Sequence, residues 1–109
     1  MFYIFANSQI TIAMASIREL KKDIDYLVFE VVSDSLTYAG ISQENDSEEI
    51  SAIIEDAVDL RNSLFARISN RPSSDDAAEV KSYYRSVRKD LFEGVDRLFT
   101  RLSDLPKGE

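Results

Sequence analysis

A chain of 109 residues, 44% hydrophobic and 30% charged with three Gly and two Pro, is long enough for one packed domain and too apolar for wholesale disorder or a low-complexity array. It contains no His and no Cys. That removes Ser-His-Asp and Cys-His catalysis, Cys/His zinc sites, haem and iron–sulfur ligation and disulfide frameworks together.

The net charge of −7 is local in origin: residues 40 to 60 hold Glu44, Asp46, Glu48, Glu49, Glu55, Asp56 and Asp59 and no Lys or Arg. An acidic chain offers no clustered positive surface for phosphates or anionic lipid, so neither a nucleic-acid nor a membrane partner is expected. Residues 1 to 17 are uncharged, but Asn7, Ser8, Gln9, Thr11 and Ser16 make them too polar for a transmembrane span. Ala13-Met14-Ala15 has the small-x-small form of a cleavage site, yet no positive region precedes it, and a cytoplasmic location is expected.

In chain order, the first elements are β-prone. Phe2-Tyr3-Ile4-Phe5 and Ile10-Thr11-Ile12 flank Ala6-Asn7-Ser8-Gln9, a pattern that predicts a short extended or hairpin segment over residues 1–13. The competing reading continues the following helix upstream, because an isolated hairpin is marginal in water. Ser16-Ile17-Arg18-Glu19 is a capping box and predicts a helix start. Ile17, Leu20, Ile24, Leu27, Val31 and Tyr38 form its seam, widened by Val28, Val32 and Leu36, until Ala39-Gly40 ends it.

A polar loop over Ile41–Ser47 follows, with Asp46 or Ser47 as the next cap and Glu48 and Glu49 against the positive end of the helix dipole. Ile50, Ile53, Ile54, Ala57, Leu60, Leu64, Phe65 and Ile68 mark the second helix, stopped by Asn70-Arg71-Pro72. Ser73 or Ser74 is expected to cap the third, whose stripe is Val80, Tyr84, Val87, Leu91, Val95, Leu98 and Leu102. Three long helices on short connections predict an all-α antiparallel three-helix bundle over residues 14–109, with residues 1–13 as an N-terminal extension.

The run Met14-Ala15-Ser16-Ile17-Arg18-Glu19-Leu20-Lys21-Lys22-Asp23-Ile24 resembles the opening of a family of small, uncharacterised all-helical bacterial proteins, over residues 14 to about 30. The resemblance implies a helical cytoplasmic protein, supplies no catalytic residues, and suggests that residues 1–13 are an upstream extension.

Candidate sites come from charge and from aromatic surplus. Glu44-x-Asp46-x-Glu48 has the alternation of a calcium loop but lacks its Gly and its terminal Glu at the required spacing, and a di-metal carboxylate bundle would need the missing His. Glu48, Glu55 and Asp59 share one helix face, which reads first as solvated, then as a dock for a basic protein, then as a divalent-cation site; a carboxylate-metal hydrolase is the competing enzyme reading, and no cofactor is expected. Glu30 and Asp34 are the acids nearest the first seam and read as salt-bridging residues. Lys81, Arg85, Arg88 and Lys89 near Tyr83 read as partners of the acidic second helix, rather than as a nucleic-acid track.

Tyr26, Phe29, Phe65, Tyr83, Phe92 and Phe99 fall partly off the seams, and Gly94 inside a helix predicts a close neighbour. Together they predict a non-enzymatic protein that acts through protein–protein contacts as a homodimer, with Phe29, Phe92 and Phe99 at the interface.

Overall fold

The structure is a computed structural model that describes residues 8–41, 47–73 and 75–105, with side chains described from residue 17 in the first segment and 48 in the second. Three helices make it up: α1 (Ser8–Ile41), α2 (Ser47–Ser69) and α3 (Ala77–Ser103). Each packs on the other two, and the described residues contain no strand. The body measures 60 × 28 × 16 Å, its length set by α1, which at 1.5 Å per residue is about 50 Å long.

α1 departs most from expectation. Ile10-Thr11-Ile12 is helical rather than a strand, the helix passes residues 13 and 14 without a break, and Ser16 lies inside it rather than at its cap. The other expected strand, Phe2–Phe5, lies outside the described residues. The physical reason is propagation: β-branched residues cost a helix only about 0.5 kcal/mol each, nucleation is met once, and no Gly or Pro occurs before Gly40 to stop the helix. At its other end α1 continues through Gly40 to Ile41.

α2 opens at Ser47 with Glu48 and Glu49 in its first turn, as dipole complementarity favours; the alternative cap Asp46 lies outside the described residues. The cap of α3 is neither Ser73 nor Ser74, the latter being outside the described residues. It is Asp76, whose extended backbone lets its carboxylate accept from the Ala78 N–H at 3.0 Å. A carboxylate at this position satisfies an orphan amide and faces the positive helix end at once.

The core follows the periodic stripes. Leu20, Ile24, Val28 and Val31 of α1 meet Ile53, Ala57, Leu64 and Ile68 of α2 and Val87, Leu91, Val95, Leu98 and Leu102 of α3. One position is exchanged: Leu36 is exposed, and Ser35 takes the buried place, its hydroxyl donating to the Val31 carbonyl at 2.7 Å. Residue 35 is four after Val31 and so stays on the seam, whereas residue 36 is rotated about 100° from it.

Between α2 and α3 the fit is close. A Cβ added at Gly94 would stand 2.8 and 2.9 Å from the two methyls of Leu60. Gly94 therefore answers to a neighbour within the same chain, and the expectation that it signals a second chain is corrected. Arg67 pairs with Asp90 and donates to the Ser86 hydroxyl at 3.1 Å, while the Tyr83 hydroxyl donates to the Arg67 carbonyl at 2.7 Å. Arg101 reaches Asp56 at 2.6 Å.

Candidate interaction surface

Half of the surplus aromatics are absorbed by the fold. Phe65 is half-buried, with the Arg61 guanidinium 4.1 Å and the Lys21 ammonium 5.9 Å from its ring centre. Tyr83 meets Tyr84 edge-on, with ring centres 5.6 Å apart, and Phe99 is partly buried against the core. The rings left outside are Phe29, 65% exposed, Tyr26, 64%, and Phe92, 52%.

Phe29, Phe92 and Phe99 do not form one patch. Asp25 accepts from Arg61 of α2 at 2.8 Å, and Phe29 lies one turn beyond Asp25, on the flank of α1 that faces α2. Arg88 of α3 donates to Asp23 at 2.7 Å, and Phe92 lies one turn beyond Arg88, on the flank of α3 that faces α1. Asp23 and Asp25 point about 200° apart around α1, so Phe29 and Phe92 lie on opposite sides of it. Phe99, two turns beyond Phe92, belongs to the second side and is mostly covered.

Phe29 does not stand alone on its side. With Asp25, Tyr26, Val28 and Val32 it lines a wide, shallow concavity of about 600 Å³. Leu36, 58% exposed, continues the strip two turns onward, and Val58 of α2, 44% exposed, lies across from it. The reason is angular. Leu20, Ile24, Val31 and Ser35 occupy a narrow seam, and Phe29, Val32 and Leu36 form a second stripe about 80–140° away, too far round for α2 to cover.

Glu48, Glu55 and Asp59 are all exposed, within about 40° of one another on the outer face of α2. None of the ion pairs among the described residues includes them; Asp56, a neighbour in sequence, is turned toward α3 and pairs with Arg101. Among the described residues no group of three or more acidic side chains is gathered so that it could hold a metal ion. Glu44 and Asp46 lie outside the described residues.

The basic run of α3 is also rearranged relative to expectation. Arg88 pairs with α1 rather than with the acidic α2, and Lys89 stands 3.7 Å from Glu93 one turn on. Burial pushes the Tyr84 phenol above the ordinary tyrosine value, Arg71 opposes the shift, and Tyr83 adds to it. That is a packing consequence at the start of α3, remote from the exposed strip. No helix is long and apolar enough to cross a membrane among the described residues.

Comparison of the chain with protein-family models, with curated proteins and with solved structures found no match.

Proposed function

We propose that this chain is a cytoplasmic, non-enzymatic helical protein that acts through protein–protein contacts, and that the α1 flank bearing Phe29 is the surface it uses. The observation that carries the reading is the exposure of Tyr26 and Phe29 at a shallow apolar concavity, with Leu36 exposed two turns further along α1 and Val58 exposed on the neighbouring α2. Large apolar side chains exposed singly need no explanation, whereas a contiguous set on one face marks an interaction surface.

The scaffold behind that surface is read as an antiparallel, up-down-up bundle. Cross-helix contacts support it by running in opposite numerical order: Lys21 with Phe65 and Asp25 with Arg61, then Arg67 with Asp90, Leu60 with Gly94 and Asp56 with Arg101. The resemblance over residues 14 to 30 carries the same expectation of a helical chain without catalytic residues.

Phe29→Ser tests the reading, because it makes the patch polar without touching the core. Wild-type and variant chains are compared as baits in native lysate and by light scattering. Loss of a captured protein, or a fall in particle mass, is expected for the variant. Identical capture and identical mass would remove the α1 flank from any interaction. A second reading, an acidic adaptor for a basic protein, is supported by the exposed group Glu48, Glu55 and Asp59 and predicts capture that is lost in Glu55→Lys and insensitive to Phe29→Ser.

A further inference from the structure

The identity of the partner is the next question, and it rests on the reading just given. Among the described residues nothing covers Phe29, which is 65% exposed. The linker residues Ser42, Gln43, Glu44, Asn45 and Asp46 have no apolar side chain, and the C-terminal Pro106-Lys107-Gly108-Glu109 has no large one.

The charges around the strip say what does fit. At 100° per residue, Arg18 and Lys22 fall within about 40° of Phe29 and Leu36 on α1, all of them exposed. Across the groove, Glu55 and Glu48 follow Val58 on the same side of α2 and are exposed as well. The register set by Lys21 over Phe65 and by Asp25 on Arg61 places Glu48 level with residue 38 of α1. The same register puts Glu55 level with residue 31, so the α1/α2 face is basic at one end, carries Phe29, Val58 and Glu55 in the middle, and ends in Glu48 at the other.

A partner of a single charge sign would be attracted by one end of this face and repelled by the other. A copy of the face turned end for end sets the basic end of each against the Glu48 end of the other, with the two Glu55 side chains as the one like-charge approach near the centre.

We propose that the α1/α2 face is covered by a second copy of this chain, docked in reverse about a two-fold axis that crosses α1 near residue 30. Phe29 then packs against the partner's Phe29 and Val32, and Lys22 lies over the partner's Glu48, a pairing that the axis repeats. The same-direction alternative sets Arg18 and Lys22 against their own copies and is repulsive. An isologous contact of this kind closes on itself, giving a dimer and no filament.

The absence of Cys makes the geometry directly testable. Ser33→Cys places a lone thiol at a partly exposed position of α1 one turn from Phe29, close to its own copy across the axis. Ser82→Cys places one on the exposed outer side of α3. A short bis-maleimide is expected to link the first variant into a covalent dimer and leave the second as a monomer.

Light scattering of the wild type is expected to give twice the 12.4 kDa chain mass. Lys22→Glu and Glu48→Lys are each expected to weaken the dimer about tenfold, because every pair occurs twice, and together to restore it. Circular dichroism and melting of each variant separate loss of association from loss of fold.

A wild-type mass that stays at one chain up to about 100 µM overturns the proposal. So does equal cross-linking of the two thiol variants, or a double charge variant no tighter than either single one. If the chain is monomeric while a captured protein still depends on Phe29, the second copy is wrong and the interaction surface stands. If it is monomeric and nothing captured depends on Phe29, both are wrong.

Discussion

The α2/α3 seam and the outer flank of α1 both present apolar side chains and come to opposite ends. At the seam, Leu60 fills the space that Gly94 leaves, Tyr83 donates to a backbone carbonyl of α2, and Arg67 and Arg101 place their charges on Asp90 and Asp56 at the rim. On the flank, Phe29 and Leu36 are more than half exposed beside Tyr26, with no helix against them. Both stretches are amphipathic. What separates them is whether a second helix lies at the angle where the stripe emerges, so an apolar stripe becomes core or surface according to its neighbours rather than its composition.

The contrast breaks first on core truncation. Leu91→Ala at the fully buried centre of α3 is expected to cost about 2–5 kcal/mol, read from denaturant midpoints. Phe29→Ser, measured on dilute monomer, is expected to stay within about 0.5 kcal/mol of wild type, as surface changes do. Equal losses at the two sites would mean that the flank is packed and that the contrast is mistaken.

The two helical glycines sharpen it further. Gly94→Ala gains about 1 kcal/mol in helix propensity but drives a methyl into Leu60, at a cost of about 1–3 kcal/mol, so net destabilisation of about 1 kcal/mol is expected. Gly40→Ala meets no atom within 4 Å and should stabilise α1 by about 0.5 kcal/mol, the gain being partial so near the helix end. Melting temperatures that move in the same direction for both would place Gly94 in open space.

Tyr83→Phe keeps the ring and removes one donor to the Arg67 carbonyl, with an expected loss of about 0.5–1.5 kcal/mol. The smallest effect is in alkali. Because burial raises the Tyr84 phenol above its ordinary value of 10.0, the native state holds that proton more tightly than the unfolded chain does. The associated stability is intact below the unfolded value and declines as pH rises through it and up to the native one. Tyr84→Phe should flatten that part of the stability–pH curve, and an unchanged slope would show that the phenol is solvated.

The buried stripes of all three helices were legible because a 3.6-residue period needs no knowledge of a partner; Ile24, Ile53, Leu64 and Leu91 are buried as the spacing predicts. The ends of elements were less so. Ser16-Ile17-Arg18-Glu19 has the residues of a capping box, yet α1 runs through it, since a cap signal marks a start only where the upstream chain leaves the helix. The cap of α3 fell to Asp76 over Ser73 because the first helical amide available to a side chain is that of Ala78.

The exposed apolar flank is half legible in the sequence. Off-seam position marks Phe29 and Phe92 as outward rings, but it marks Phe65, Tyr83 and Phe99 as well, which the fold covers with Arg61, with a backbone carbonyl and with the core. Periodicity reports an angle on one helix and is silent about which angles its neighbours occupy.

Residue order alone therefore shows what lies within one helix: three amphipathic segments, their buried stripes, the acidic outer face of α2, and a chemistry without His or Cys. Tertiary structure alone decided which stripe on α1 became surface, that Gly94 answers to Leu60, and that Arg88 serves Asp23 of α1 rather than an acid of α2. Those outcomes depend on distances between segments far apart in the chain, and residue order constrains such distances only through the packing of the whole bundle.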